Sequence, residues 1–318
     1  MTDAGLALPK IPRLSQDEIE SPPLSLTRLT WLRFRRHKMA MFGTIVLIVL
    51  ILYVGIGSIV FPESYANFNN TTLRLQAPTL THPFGTDSVG RDILARTIYG
   101  GQISLLIGLT AVIVETVVGV LIGAAAGYYG GWLDAVLMRI TEAMLNIPEL
   151  FLLIVMAKEF AGKIPTITVM DREFSGSVIV IVMIIGITSW MYLARIVRAE
   201  FLSLKENDFI LAARSTGTSN SGIIFKHILP NCMAPIIVSA TLGVANAILA
   251  EAYISFLGLG VQPPTATWGN MLDSANSYLE SAPWLWFFPG VLILLTVLGI
   301  NFLGDGLRDA LDPHSRAV

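Results

Sequence analysis

Long apolar runs alternate with polar segments along this chain, and the runs decide its architecture. Six of them are long enough to cross the roughly 30 Å hydrocarbon core of a bilayer as helices. They cover approximately residues 39–61, 101–128, 132–157, 175–194, 232–258 and 283–304. The first, fourth and sixth runs carry no charged residue, as expected of membrane spans. The pattern predicts an all-α polytopic membrane protein with six transmembrane helices.

Composition supports this class and excludes several others. The chain is 53% apolar and only 14% charged, whereas about a quarter of the residues in soluble proteins are charged. The net charge of −2 gives no reason to expect a nucleic-acid partner. The single Cys232 excludes an internal disulfide, and we expect it to be a small packing residue. The four histidines are scattered through tails and loops, so we expect no catalytic and no metal site.

Basic residues predict the orientation, because they concentrate on the inner side of membrane proteins. With the N-terminus inside, the inner segments hold the N-terminal basic cluster and Arg195, Arg198, Lys205, Arg214, Lys226, Arg308 and Arg316. The outer segments then hold only Arg74, Arg91, Arg96, Lys158, Lys163 and Arg172. Residues 259–282 contain no basic residue. Both termini are therefore predicted to be inside.

These features divide the chain into five parts. They are an inner tail with an interfacial helix (1–38), a first span (39–61), an outer loop (62–100), a five-helix core (101–304) and an inner tail (305–318). Residues 25–38 mix arginine and lysine with leucine, tryptophan and phenylalanine, which suits a helix lying on an anionic membrane face. A basic nucleic-acid-binding tail is the weaker alternative. The first apolar run lacks a following small-residue cleavage site and is predicted to be a retained span.

The polar stretch 204–231 has an order of its own between two apolar runs. It contains a short helical pattern, then Gly217, a second apolar pattern and Pro230. Gly217 suits the left-handed residue that ends a helix. Pro230 permits a new helix to start but not the preceding one to continue. The pattern predicts a helix, a glycine corner and a second helix, which is either a simple connector or a surface presented to a partner.

The spacing within this stretch resembles the EAA loop of ABC importer permeases. Ala212 and Ala213 are followed after three residues by Gly217, and after nine more by His227, Ile228, Leu229 and Pro230. The family pattern is Glu-Ala-Ala, three residues, Gly, nine residues, Ile-x-Leu-Pro. Here Leu211 replaces the glutamate and His227 the isoleucine. The resemblance implies that this loop couples to an ATPase subunit, through Asp208, Leu211, Ala212, Ala213, Arg214, Gly217, His227 and Pro230.

A second motif lies in the outer loop, where residues 82–92 read HPFGTDSVGRD. On residue type alone it is an ion-pair network, an ion site or a docking surface. It resembles the Gly-Thr-Asp-x-x-Gly-Arg-Asp signature of the dipeptide and oligopeptide branch of ABC permeases. Residues 127–139, 255–272 and 304–313 resemble the same branch, and residues 188–205 look most like its oligopeptide members. The resemblance implies docking of a solute-binding protein through Gly85, Thr86, Asp87, Gly90, Arg91 and Asp92.

The resemblance also implies a type I ABC importer fold in the cytoplasmic (inner) membrane and a set of partners. These are a second homologous permease, two ATPase subunits and an extracytoplasmic solute-binding protein, in addition to membrane lipid. The chain has no G-x-x-x-x-G-K-[ST] phosphate loop, so ATP and Mg²⁺ should belong to the ATPase subunits and no cofactor to this chain. The implied cargo is a dipeptide or oligopeptide, with nickel, glutathione or oligosaccharides as alternatives.

Polar residues inside the spans are candidates for a passage, because charged groups are costly in hydrocarbon. Gly119, Gly123 and Gly127 predict a close helix contact, within this subunit or with the sister permease. Arg139, Glu142, Asn146 and Glu149 share a predicted helix face, as do Ser239, Gly243, Ala247 and Glu251. We take Glu142, Asn146, Glu251 and Asn301 as candidate passage residues. An Arg139–Glu142 ion pair and structural hydrogen bonding at Glu251 are the alternatives.

Two other classes of function remain. A secondary transporter would need coupling-ion residues in broken helices and usually internal repeats, and no repeat is visible. A structural or signalling membrane scaffold would not need Glu142 and Glu251 within its spans. Co-purification with an ATPase separates both from an importer subunit.

Overall fold

The architecture is a helical bundle with one small hairpin. The computed structural model describes residues 25–160, 162–169 and 172–312, so the predicted tails at 1–24 and 313–318 lie outside the described residues. The helices are α1 (Leu26–Arg36), α2 (Lys38–Val60), α3 (Glu63–Ala66), α4 (Ile93–Tyr129), α5 (Gly131–Leu145), α6 (Glu149–Phe160), α7 (Ser177–Ser189), α8 (Met191–Leu204), α9 (Asp208–Ser215), α10 (Asn220–Phe256), α11 (Trp268–Ala275) and α12 (Trp284–Leu311). An antiparallel hairpin of β1 (Ile167–Val169) and β2 (Arg172–Phe174) separates α6 from α7 and was not predicted.

Membrane-spanning capacity is concentrated in the longest helices. Among the described residues, α2, α4, α10 and α12 are each long and apolar enough to cross a bilayer. The α5–α6 and α7–α8 pairs pass the same test only when each pair is taken together, giving four to six candidate spans. The α5–α6 pair bends by 87° and the α7–α8 pair by 43°.

The predicted third span is therefore two helices, and the residues predicted to share one helix face are divided between them. α5 ends at Leu145, and Pro148 precedes the first residue of α6. Proline lacks the N–H that a continuing helix needs, and its ring excludes the preceding helical turn. Glu149 consequently lies on a different helix from Arg139, so the prediction that both share one helix face is wrong.

Three predicted boundaries also differ from the observed ones. α4 begins at Ile93, so residues 93–100 of the predicted outer loop form its first two turns. α8 continues to Leu204, well beyond the predicted end of the fourth span.

The third difference is at Pro230, which does not start a separate helix. It lies in a 3₁₀ turn (Leu229–Cys232) that follows a π-helical turn (Ile223–Ile228), so α10 runs on from Asn220. The loosened hydrogen bonding of these turns accommodates the missing proline N–H.

Glycines let α4 pack directly on α8 inside this subunit. A Cβ on Gly123 would lie 2.5 Å from the Ala194 carbonyl oxygen, and one on Gly127 would lie 2.6 Å from the Phe201 Cβ. Both distances are shorter than any carbon contact allows, so only glycine fits. The small-residue face of α4 is thus used within the subunit.

The bundle has two ends, which are named here by what they carry. The terminal end holds α1, the end of α12 and the α8–α10 connection, and Arg33 Nη1 donates there to the Asp312 carbonyl at 3.1 Å. The loop end holds residues 62–92 and 257–283, where Trp284 Nε1 donates to the Thr86 carbonyl at 3.1 Å. Cys232 is fully buried near the terminal end among apolar side chains, which confirms its prediction as a packing residue.

Candidate functional site

A cavity of about 480 Å³ with several polar residues in its wall opens among α4, α6, α7, α8 and α10. Its volume lies in the usual range of small-ligand sites, about 300–1,000 Å³. Most of its wall is apolar. The polar lining residues are Glu115, Glu149, Thr188, Ser189, Tyr192, Ser239, Asn246 and Tyr253.

Glu115 is the most deeply placed carboxylate of this cavity. It is only 9% exposed, and its carboxylate lies against the backbone of Gly243. A Cβ at residue 243 would lie 3.1 Å from Oε2 and 3.4 Å from Oε1. The absence of a side chain at Gly243 therefore makes the space that the carboxylate occupies.

Sequence reasoning did not select Glu115, although a signal was present. It is the single charged residue of the predicted second span, and it precedes Gly119, Gly123 and Gly127 at the same four-residue interval. Residues four apart lie on one helix face, so the glycine face leads to Glu115.

The predicted passage residues occupy several different environments. Glu142 lines a second cavity of about 680 Å³, which shares Tyr192 and Ile196 with the first. It also pairs with Arg139 (Nη1–Oε2, 3.4 Å) on the exposed surface of α5. Asn146 follows the last residue of α5, and its Nδ2 donates to the Glu142 carbonyl at 2.7 Å.

Glu251 and Asn301 lie away from these cavities. Glu251 is fully buried and accepts hydrogen bonds from Ser255 Oγ at 2.6 Å and Ser104 Oγ at 3.2 Å. Asn301 is half-buried on α12 and lines neither cavity. The polar wall of the first cavity is therefore built from other residues than those predicted.

The second cavity ends beside an ion pair that joins α5 to α8. Arg198, one of its lining residues, binds Asp134 through both carboxylate oxygens, with Nη2–Oδ2 at 2.6 Å and Nε–Oδ1 at 2.5 Å. Bidentate pairs of this kind fix orientation as well as distance. The pair secures the start of α5 on the terminal side of the bundle.

The α8–α10 connection presents a short helix, α9, at the terminal end. Its Ile210 is fully buried and packs with Phe201, Ile223 and Ile228. The opposite face is open, and its exposed residues include Asp208, Phe209, Leu211, Ala212 and Arg214. An exposed apolar face on a well-supported helix is typical of a protein-interaction surface. These exposed residues are called the α9 surface below.

Several contacts hold the α9 surface in position. Gly217 has φ = +80°, the left-handed geometry predicted for the corner. Tyr128 Oη donates to Asn220 Oδ1 at 2.8 Å, and the Arg214 guanidinium lies 5.9 Å from the Tyr128 ring centre. Ala213 is buried, His227 half-buried and Pro230 exposed. Of the predicted coupling residues, the structure thus separates those that face outward from those that support them.

The outer-loop motif forms a compact hydrogen-bond network at the start of α4, called the Asp87 network below. Asp87 Oδ1 accepts from the backbone N–H groups of Val89 and Arg91, both at 2.9 Å, and Oδ2 accepts from Arg91 Nε at 2.6 Å. Asp92 caps α4 by accepting from Ala95 N at 2.8 Å. Gly85 and Gly90 have φ of +76° and +81°, and these left-handed conformations allow the two turns of the Asp87 network.

The Asp87 network also contacts more distant parts of the loop end. The Asp92 carboxylate also contacts His82 Nδ1 at 2.7 Å, and Thr86 Oγ1 contacts the Leu73 carbonyl. Burial, and secondarily the Asp92 carboxylate, raise the pKa of the Tyr65 phenol. Thr86, Asp87 and Asp92 are buried, so their side chains shape the loop from within. Their docking role stays a prediction that would act through the loop's shape.

Comparison with known proteins gives consistent matches along the chain. Residues 119–317 match the family described as "Binding-protein-dependent transport system inner membrane component". Residues 25–78 match the "N-terminal TM domain of oligopeptide transport permease C".

Two curated relatives illustrate the similarity. The dipeptide transport system permease protein DppC of Alkalihalophilus pseudofirmus is 40% identical over 96% of this chain and 97% of its own length. The oligopeptide transport system permease protein OppC of Bacillus subtilis is 38% identical over 94% of this chain and 93% of its own. A solved amino acid ABC transporter with histidines covers 66% of this chain and 92% of its own, with 18% identity and a TM-score of 0.48.

Proposed function

The chain belongs to the family of inner-membrane components of binding-protein-dependent transport systems, and on that premise we propose that it carries dipeptides or oligopeptides inward across the cytoplasmic membrane. Relatives with this cargo in their names match it along almost their whole length. The observation that carries the proposal is the cavity of about 480 Å³ that opens among the helices of one subunit and has two carboxylates in its wall. A cavity of this size within a bundle accommodates a small polar solute.

The proposed arrangement has six spans, with α5–α6 and α7–α8 each counted as one bent span and both termini inside. The basic α1 supports this orientation, because Trp31 and Leu32 are exposed beside Arg28, Arg33 and Arg35. Such a helix is suited to the anionic inner membrane face. The loop end, with the Asp87 network, would then face outward.

Energy would come from partner subunits. We assign ATP and Mg²⁺ to two ATPase subunits, one of which would bind the α9 surface of this chain. ATP binding would draw the ATPase pair together, move α9, and rock α8 and α10, which border the cavity and continue into the α9 connection. Hydrolysis would reset the bundle. A second, homologous permease and an outer solute-binding protein complete the proposed assembly.

Reconstitution of the complete transporter tests the proposal. The chain, its sister permease and both ATPases are placed in proteoliposomes with the solute-binding protein on the outer side. We expect ATP-dependent uptake of radiolabelled tripeptides and peptide-stimulated ATP hydrolysis. Uptake that proceeds without ATPase subunits on an ion gradient would instead establish a secondary transporter.

A further inference from the structure

The Glu115 carboxylate is buried in the wall of the first cavity. It is nine-tenths buried and lines the cavity, yet within the described part of the chain no hydrogen bond or ion pair reaches its carboxylate. Every other buried acidic side chain described here has partners, as Asp87, Asp92 and Glu251 show. A carboxylate inside a span is costly to insert and usually marks a substrate or ion pathway.

The residues around Glu115 favour a positively charged ligand. Gly243 leaves open the space in which the carboxylate lies, and Glu149 brings a second carboxylate to the same cavity. None of the described residues that line the cavity is lysine, arginine or histidine. Two carboxylates in one cavity without a protein cation favour a positively charged ligand, because such a ligand stabilises their ionised forms.

The remaining wall favours an organic cation over a metal ion. Tyr192, Tyr253 and Asn246 line the cavity. Aromatic rings attract ammonium and guanidinium groups, and an amide oxygen accepts their N–H groups. Over the described residues, no group of three or more His, Cys, Asp or Glu side chains is placed to hold a metal ion. The chemistry therefore matches a charged nitrogen that carries several N–H donors.

We infer that Glu115, with Glu149, binds the cationic nitrogen of a peptide as it passes through the cavity. This inference rests on the proposed peptide-import function and names the part of the substrate that the permease itself recognises. The nitrogen is either the peptide's amino terminus or a lysine or arginine side chain. Both are cations with the same hydrogen-bonding chemistry, and experiment separates them.

Uptake by the reconstituted transporter provides the test, with wild type compared with Glu115→Gln, which keeps the side-chain size and removes the charge. Four peptides are used: Ala-Lys-Ala and Ala-Glu-Ala, each with a free or an acetylated amino terminus. If a side chain is bound, the ratio of Ala-Lys-Ala to Ala-Glu-Ala uptake falls about tenfold in the variant. If the amino terminus is bound, the preference for free over acetylated peptides is lost instead.

Controls separate this site from general damage. Glu159, on α6, forms an exposed ion pair with Lys163, and Glu159→Gln should leave both preferences unchanged. Gly243→Ala would push a methyl group against the Glu115 carboxylate and should lower uptake of the preferred peptides, whereas Gly55→Ala, where nothing lies within 4 Å, should not.

Two results would overturn the inference. One is an assembled Glu115→Gln transporter that keeps both preferences, and the other is loss of assembly in Glu115→Gln, which would show a structural role. Absence of any peptide uptake by the wild type would count against the proposed function itself.

Discussion

Arg198 on α8 binds both carboxylate oxygens of Asp134 on α5, across 64 residues of sequence. The pair lies where the α5–α6 bent pair meets α8, the helix that leads into α9. Arg198 also lines the second cavity, so the pair joins the wall of that cavity to the helix that leads into α9.

The first prediction concerns this pair. Arg198→Ala and Asp134→Ala should each lower the thermal midpoint of the purified transporter, because each leaves a partly buried charge alone. In a double-mutant cycle the interaction energy should be about 1–2 kcal/mol, within the usual range for a contacting pair. An additive cycle would show that the two side chains contribute independently. Lys163→Ala removes the exposed pair that Lys163, just after α6, makes with Glu159, and serves as a control with little effect.

The second prediction concerns orientation. Asn69 and Ser277 are exposed at the loop end, and Ser219 is exposed at the terminal end. Single cysteines at Asn69 and Ser277, in a Cys232→Ala background, should react with a membrane-impermeant thiol reagent in intact cells. A cysteine at Ser219 should react only after the membrane is opened. Labelling at Ser219 alone in intact cells would reverse the topology.

The third prediction concerns the α9 surface. Leu211 is 49% exposed where the family pattern has glutamate, so its contact with the ATPase should be apolar. Leu211→Asp should weaken ATPase co-purification at least tenfold, about 1.4 kcal/mol, because a charge would be buried in that contact. Ser203→Asp, exposed on α8 outside this surface, provides a matched charge control. Equal retention of the ATPase by both variants would reject α9 as the contact.

The fourth prediction concerns the corner at Gly217. Valine there must adopt φ = +80°, which costs about 1–2 kcal/mol, although no neighbour lies within 4 Å of the new Cβ. We expect Gly217→Val to insert normally but to uncouple peptide-stimulated ATP hydrolysis from uptake. Gly162→Val creates comparable strain at φ = +70°, also in open space but before the β1–β2 hairpin, and should leave coupling intact. Normal uptake by Gly217→Val would make the connection a passive one.

The fifth prediction concerns Glu251. Ser104 and Ser255 each donate their only hydroxyl proton to the carboxylate and accept from a backbone N–H group, of Trp268 and Val261 respectively. Thr267 hydrogen-bonds the carboxylate as well. Glu251→Gln must turn an amide N–H₂ toward one of these hydroxyls, so the thermal midpoint should fall. Glu251→Ala should fall further, since each unsatisfied buried group costs about 1–3 kcal/mol. The ratio of Ala-Lys-Ala to Ala-Glu-Ala uptake should not change in Glu251→Gln, and a change would place Glu251 in the passage.

The sequence by itself determined the membrane class, the family and the local geometry of its two motifs. Apolar run length, the left-handed Gly217 and the capping Asp92 act over a few residues, so their physics is readable from spacing alone. Tertiary structure decided which polar side chains face one another. Glu251 accepts a hydrogen bond from Ser104, which lies 147 residues away in the sequence. The Glu115 carboxylate lies against Gly243 and not against a basic side chain among the described residues. These contacts depend on how α4 and α10 are rotated against each other, and that rotation depends on packing between helices that no local pattern records.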